Sequence, residues 1–600
     1  YCLFQKFRFY MFDKKLDLLN FITILFQTVI FETSRTFSTI CKSKGAYMHI
    51  SRINSIGLKY NTQLSSVPKK HSSQPVQAQI QPASTPSLEQ MQSFVNLSFK
   101  GHSTPVHDEV FHIFLYDDES LEMMAKDSPD EFKKNVLTQD EYGNTPLHIA
   151  ANTNNISALS IFAEHAPDEF KQAVSIQNDE GRTPVHYSLL NNDEQAFEMM
   201  AKKSPDEFKK TVLTQDEDGN TPLHIAANTN NISALYVFAE HAPDEFKQAV
   251  SIQNDEGLTP VQRAVVKSSV FLWVIGSYAP ESFRESIILK DKNGKTPLHE
   301  AVWDKNSDSL KVIAKYAPDE LKQAVLMQDE QGYTPVHLAD KNKEILEIIA
   351  KHAPKEFKQT VSTKDNYGWT PVDYVTRVAD FDTPNADDYK VYKENIEAAA
   401  FMAENAPEQF GEAISTVHKH WHSVKETTLH SMARKFNSED LLELAAKTTP
   451  EIFKQLITQK NNDGDTLVHI AAKSPESLKI INESAPKEFK KALLMKDNDG
   501  YTPVHSMFRL PESLSLTAEL APDEFKKALF KRNKNGQPPV CLMMEYPSSM
   551  QAVYDAAPEE FEKSIRMKTR PGLFMRGASV LELSNQSEEL ADILEKIRTK

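Results

Sequence analysis

Seven histidines, His148, His186, His224, His299, His337, His469 and His505, each stand five residues after a glycine. Imidazoles titrate near neutral pH and bind zinc, so acid–base or metal chemistry is the first question they raise. Their spacing argues against both. Successive members are 36 residues or more apart, with no cysteine or carboxylate nearby at ligand spacing. The local cluster His418, His420 and His422 in "HKHWH", with His430 after it, is different in kind. On a strand, alternate positions share a side, and three imidazoles there suit adventitious Zn²⁺ or Ni²⁺; the competing reading is a solvated loop. Gly-x-Ser-x-Gly, a phosphate loop ending in Gly-Lys-Ser/Thr and His-Glu-x-x-His are absent from the sequence. Carboxylates fall at turns and helix starts, where they cap and solvate. The expectation is no catalytic residue, no metal site and no cofactor.

The chain that must position these groups has 600 residues, more than one compact core usually organises. With 84 acidic against 68 basic residues its net charge is -16, which disfavours nucleic acid or anionic lipid as a generic partner. Cys2, Cys41 and Cys541 form neither a disulfide framework nor a zinc cluster, so a reducing compartment is the natural setting. Residues 1–47 are Phe-rich and unlike the rest. Their apolar run 17–31 is broken by polar residues and shorter than a bilayer span, although Lys14 and Lys15 precede it as in a signal. Met48 is the expected start, and 48–100 a polar tether rich in Gln, Ser and Pro, so the N-terminal segment is expected to be disordered.

From 101 to 600 one pattern recurs. "DEFKQAVSIQNDEG" at 168–181 returns at 244–257, and Gly143, Gly181, Gly219, Gly257, Gly294, Gly332, Gly368, Gly464, Gly500 and Gly536 mark about 11–13 units. In the unit at Gly143, Asp140 opens a turn, Thr145 caps a first helix and Pro146 starts it. Asn152 to Asn155 read as a break, and Ile156, Leu159, Phe162 and Ala163 as the stripe of a second helix. "SPDEF" at 204–208 predicts a third, short helix, with Ser204 as cap and Glu207 completing a capping box. Gln262, Asp373 and Cys541 replace the histidine, and 377–424 interrupts the period as an insertion.

"DEYGNTPLHIA", "DEDGNTPLHIA" and "DEQGYTPVHLA" resemble the ankyrin repeat signature. The resemblance implies an all-α, ankyrin-type helical solenoid, here with an extra short helix per unit. It implies structural histidines, bonded within and between repeats. It also implies partner contacts through turn tips and first helices on a concave face. Carried onto this chain, the expected partner-binding residues are Glu141, Tyr142, Glu217, Asp218, Glu330, Tyr333, Tyr367, Trp369 and Tyr501. Tyr333, Tyr367 and Trp369 are the expected aromatic anchors. The expected function is a monomeric, non-enzymatic scaffold for a protein with a basic or aromatic-accepting surface, with no nucleic acid and no membrane. Its expected location is cytoplasmic. Long duplicated arrays behind a polar tether are similar to ankyrin proteins that intracellular bacteria deliver into host cytosol. The second class is an enzyme or enzyme recruiter with chemistry in 377–430.

Overall fold

The computed structural model describes residues 119–376, 386–419, 425–434, 438–570, 577–585 and 587–599. It divides into two compact units, 1–249 and 250–600. Among the described residues both are helical. The exception is one antiparallel pair in the second unit, β1 (Val417–Lys419) and β2 (Lys425–Thr427), with Val417 opposite Thr427. Residues 1–118, including the tether and the first degenerate repeat, lie outside the described part.

In the first unit, the repeat at Gly143 shows the plan. Asp140 Oδ1 accepts from the amides of Tyr142 (2.9 Å) and Asn144 (2.8 Å), and Gly143 closes the finger at φ 74°. The first helix, Pro146–Thr153, starts on proline, whose missing N–H costs nothing at that place. It ends where Asn154 turns left-handed (φ 57°), and Asn155 caps the second helix, Ile156–His165, by accepting from Ala158 N at 3.0 Å. The break is thus narrower than the polar run suggests. Leu159 and Phe162 are fully buried as expected, but Ala158 joins them while Ile156 and Ala163 stay half-exposed. The third helix, Pro167–Val174, buries Phe170, Ala173 and Val174. Phe238 of the second helix Ile232–His241 lies between the third-helix rings of Phe208 and Phe246, at 6.0 and 6.1 Å between ring centres.

The capping box expected at Ser204 does not form. Ser204 ends one helix, donating its amide to Met200 O, and begins the next at φ −135°, ψ 56°, with no side-chain cap bond. Its hydroxyl is buried without a partner. This junction is pinched between two helices, so it needs a small side chain rather than a cap. Ala166, Ala242 and, in the second unit, Ala317 occupy it fully buried.

The second unit repeats the plan. Phe283, Leu321, Phe357, Phe410, Phe453, Phe489, Phe525 and Phe561 are the buried third-helix anchors. In the repeat at Gly368 the second helix is Ala386–Asn405, 20 residues instead of the usual 10. Within the span expected as an insertion, the third helix Pro407–Ser415 keeps its place in the repeat, while the doubled second helix and β1 depart from it; residues 377–385 and 420–424 lie outside the described part. The helix Glu588–Thr599 buries Leu590, Leu594 and Ile597 and leaves its charges outside. Arg598 forks onto Glu562 at 2.6 and 2.9 Å.

Finger glycines test this stacking. Gly332 and Gly368 share φ 83°, but a Cβ on Gly332 would lie 2.6 Å from the Asn366 amide, whereas one on Gly368 would meet nothing within 4 Å. Gly368→Ala should cost only the left-handed penalty, about 1–2 kcal/mol. Gly332→Ala must also push the next finger away, so its loss in urea unfolding should be distinctly larger. Equal losses would show that finger contact does not set the stack.

Candidate partner-binding surface

The histidines come first because they decide which surface is left over. The Thr145 amide donates to His148 Nδ1 at 3.0 Å. A backbone N–H can only donate, so Nδ1 is unprotonated and the ring proton sits on Nε2, which donates to the Arg182 carbonyl of the next repeat at 3.0 Å. The same bridge joins His299 to Tyr333 O (3.0 Å), His337 to Trp369 O (3.1 Å), His469 to Tyr501 O (3.1 Å) and His505 to Gln537 O (3.1 Å). Where histidine is replaced, Gln262 keeps both bonds and Asp373 only the accepting one. Gln262 accepts from Thr259 N at 2.9 Å and donates to Lys295 O at 3.1 Å. Asp373 accepts from the Thr370 amide and hydroxyl, both at 2.7 Å. Burial pushes His186, His299, His430, His469 and His505 down to about 4. His299, His430, His469 and His505 are neutral staples between repeats, whereas His186 Nε2 is buried with no hydrogen-bond partner.

Fingers are joined by a second set of bonds. In the first unit Asp179 N donates to Tyr142 O (3.0 Å) and Glu217 N to Glu180 O (3.0 Å). In the second, Glu330 N donates to Asn293 O (3.0 Å) and Asn366 N to Gln331 O (3.0 Å). A side chain four residues before each glycine adds a rung that the sequence reading missed. Gln139 reaches Gln177 O at 3.0 Å, Gln328 reaches Lys364 O at 2.9 Å and Lys460 reaches Lys496 O at 2.6 Å. All of these rungs end on backbone carbonyls, so Gln and Lys serve equally, which hid the position from a search for one letter.

These bonds leave the tip side chains outward, and the expected site residues sort accordingly. In the first unit, Glu141, Tyr142, Glu217 and Asp218 are exposed, Tyr142 by 52%. In the second, Glu330 is exposed and Tyr367 is 69% exposed. Tyr333, Trp369 and Tyr501 are half-buried. Tyr333 and Trp369 both pack on Tyr374, each with ring centres at 5.8 Å, and Trp369 also lies 6.2 Å from His418 of β1. Tyr501 sets its ring edge-on to His505 at 5.5 Å. The three expected anchors therefore differ: Tyr333 and Trp369 form one packed cluster, while Tyr367, on the same finger as Trp369, faces away from its own fold.

The histidine cluster is also divided. His418 Nε2 lies 3.1 Å from Asp373 Oδ1 and 3.0 Å from Thr428 Oγ1, which donates to the same carboxylate oxygen at 2.6 Å. His430 repeats the staple, 2.6 Å from Thr427 Oγ1 and 3.2 Å from Gln459 O. His420 and His422 fall outside the described residues. Among the described residues no group of three or more His, Cys, Asp or Glu is placed to hold a metal ion.

A row along the first helices was not among the expected residues. The residue one after the staple and the one three further on share the face beside the finger, as Lys295 shows by reaching Glu300 at 3.1 Å and lying 5.5 Å from the Trp303 ring centre. Leu190 is 38% exposed in the first unit and Trp303 59% in the second. The sequence signal is Trp303 itself, the one tryptophan four residues after a staple position.

Residues 115–211 match the family model for ankyrin repeats in 3 copies, and residues 218–241 match that for the ankyrin repeat. The chain carries ankyrin repeats there, and its fold is an all-α ankyrin-type helical solenoid. Among solved structures it is similar to the ankyrin repeat domain of Bcl-3, a member of the IkappaB protein family. Identity is 19% over 42% of this chain and 100% of that one, with a TM-score of 0.31. Among curated proteins no match was found. Ankyrin repeats are generally protein-interaction modules and typically not enzymes. No helix among the described residues is long and apolar enough to cross a membrane.

The buried staples make stability depend on pH. The folded value of about 4 lies below the usual 6.5, so the unfolded chain binds protons first as pH falls. Their contribution is whole above 6.5, declines through the window from 6.5 to 4, and is lost below it. Across that window each imidazole accounts for on the order of 2–3 kcal/mol. His505→Gln, which copies the bonding of Gln262, should keep stability at pH about 7.5 within ~1 kcal/mol and flatten the decline towards pH about 5 in urea unfolding. An unchanged slope would remove the imidazole as the linked group.

Proposed function

We propose that the chain is a monomeric, non-enzymatic scaffold that binds a protein partner through its finger tips and the first-helix faces beside them. The observation that carries this reading is internal. Residues 122–181 and 198–257 differ only at Asp127/Lys203, Asn135/Thr211, Tyr142/Asp218, Ser160/Tyr236 and Ile161/Val237. At the finger tip this exchanges an exposed tyrosine for an exposed aspartate on the same framework, so stacking does not choose that residue. The exposed Glu141 beside Tyr142, and the exposed Glu330 on the finger before that of Tyr367, favour a partner with basic and aromatic-accepting surface. The resemblance to ankyrin proteins of intracellular bacteria supports a host-directed role, with the chain acting in host cytosol. The rival reading, chemistry in 377–430, loses His418 and His430 to structural bonds.

Affinity capture from a host lysate, with retained proteins identified by mass spectrometry, tests this. The Tyr142→Ala/Tyr367→Ala double variant should retain the specific partner at least ~10-fold less well, with Tm unchanged. Trp369→Ala should lower Tm, because it opens the cluster with Tyr374 and His418. Equal retention by the double variant would remove these tips from the site.

A further inference from the structure

In every finger the Asp or Asn three before the glycine spends one side-chain oxygen on its own turn. Its second atom then needs a partner. In the first unit Asn178 Nδ2 donates to the Tyr187 hydroxyl at 3.0 Å and to Asn144 at 2.8 Å, while Asp216 has the Arg182 Nε at 3.6 Å. In the second unit Asp365 Oδ2 accepts from the Tyr374 hydroxyl at 2.7 Å. Two places supply these partners, the residue after the previous glycine and the first helix of the same repeat.

Two fingers break the rule: Asn461 leaves its Nδ2, a donor, unpartnered, and Asp329 leaves a carboxylate oxygen so. Asp329 Oδ1 accepts from the amides of Gln331 and Tyr333, both at 2.9 Å, but its Oδ2 is buried with no partner. The residue as a whole is 7% exposed. Its first-helix place is Leu338, which has no donor, and its place on the previous finger is Lys295. Lys295 is engaged elsewhere, with its ammonium 3.1 Å from Glu300 Oε1 and 5.5 Å from the centre of the Trp303 ring. A buried carboxylate oxygen left unpaired is costly, so a donor or cation brought to Asp329 Oδ2 would be stabilised there. At the same time Trp303, 59% exposed and next to a carboxylate, offers a cation–π seat that only this chain's own lysine fills.

We propose that Trp303 and Glu300 form the seat for an arginine side chain of the partner protein, and that Lys295 holds this seat until the arginine displaces it onto Asp329. The proposal rests on the scaffold reading above and names the chemistry of one of its contacts. Reach is set by precedent within the chain, since Arg182 makes the corresponding approach to Asp216 and a lysine ammonium lies one atom further along than an arginine Nε. Arginine fits better than lysine because its planar guanidinium can stack on the indole while pairing with Glu300, whereas an ammonium does so only as a point charge. Displacement is inexpensive because Lys295 exchanges one carboxylate for another, and the second has no competing donor. Arginine thus gains the seat without leaving a buried charge stranded.

The test uses the full chain with ¹⁵N-labelled indoles, the Trp303 resonance being assigned from Trp303→Phe, and the peptides Gly-Arg-Arg-Gly and Gly-Glu-Glu-Gly as probes. The arginine peptide should shift the Trp303 resonance and the glutamate peptide should not. Lys295→Met should tighten the arginine peptide by ~5-fold, the worth of one competing cation–π contact. Asp329→Asn should weaken it when Lys295 is present and have no effect in the Lys295→Met background. Weaker or equal binding by Lys295→Met would overturn the displacement, as would equal shifts with both peptides. Should Asp329→Asn fail to fold, the Lys295→Met comparison decides alone. None of these variants alters Tyr142 or Tyr367, so failure here leaves the capture experiment intact, and failure there leaves this one readable.

Discussion

One hydrogen-bond bridge underlies the rest. In six of the repeats, at His148, Gln262, His299, His337, His469 and His505, a neutral group at the fourth position of the capped first turn accepts from its own cap amide and donates to a carbonyl in the next repeat. It needs an acceptor and a donor a fixed distance apart, both dry. Imidazole protonated on Nε2 meets that need, and glutamine meets it with its carbonyl and amide, as at Gln262. Charging the ring would put two donors where an acceptor is required. The site cannot tolerate a titrating histidine, and so the histidines that suggest acid–base chemistry in the sequence are the residues least able to perform it.

The bridge also apportions the finger. It fixes the carbonyl of the residue after each glycine, while the amide rungs fix the two residues before it. With backbone groups satisfied, the tip side chains are released from structural duty. That release is uneven. Tyr333 and Trp369 find Tyr374 and become part of the packing, while Tyr367 finds nothing. The difference follows from the long second helix and the β-hairpin that follow Gly368. Among the described residues nothing comes within 4 Å of a Cβ on this glycine, and Trp369 meets His418 of β1.

The same logic connects the finger carboxylates with the first-helix face. A half-satisfied Asp takes a donor from its neighbours, a tyrosine hydroxyl or an arginine, and a half-satisfied Asn takes an acceptor, a tyrosine hydroxyl or an amide oxygen. Where the neighbours present leucine and a lysine that has turned to tryptophan, the carboxylate remains wanting. Such a place arises from the combination of three side chains on two repeats, and no one of them is unusual in its own setting.

Much of the fold was legible in the residue order because its causes are local. Thr-Pro starts a helix, Asn155 caps the next, and glycine accepts a positive φ, all through contacts within about four residues. Repetition of these short-range signals fixed the all-α repeat, its third helix and the structural role of the histidines. What only the tertiary structure decided involves partners some 30 to 40 residues away or more: that Ser204 is a buried spacer and no cap, that His418 belongs to Asp373, that Tyr367 is free while Trp369 is not, and that Asp329 lacks a donor. Exposure and pairing at those positions depend on which repeat lies alongside, and the distance between two side chains in space is not a property of either one's neighbours along the chain.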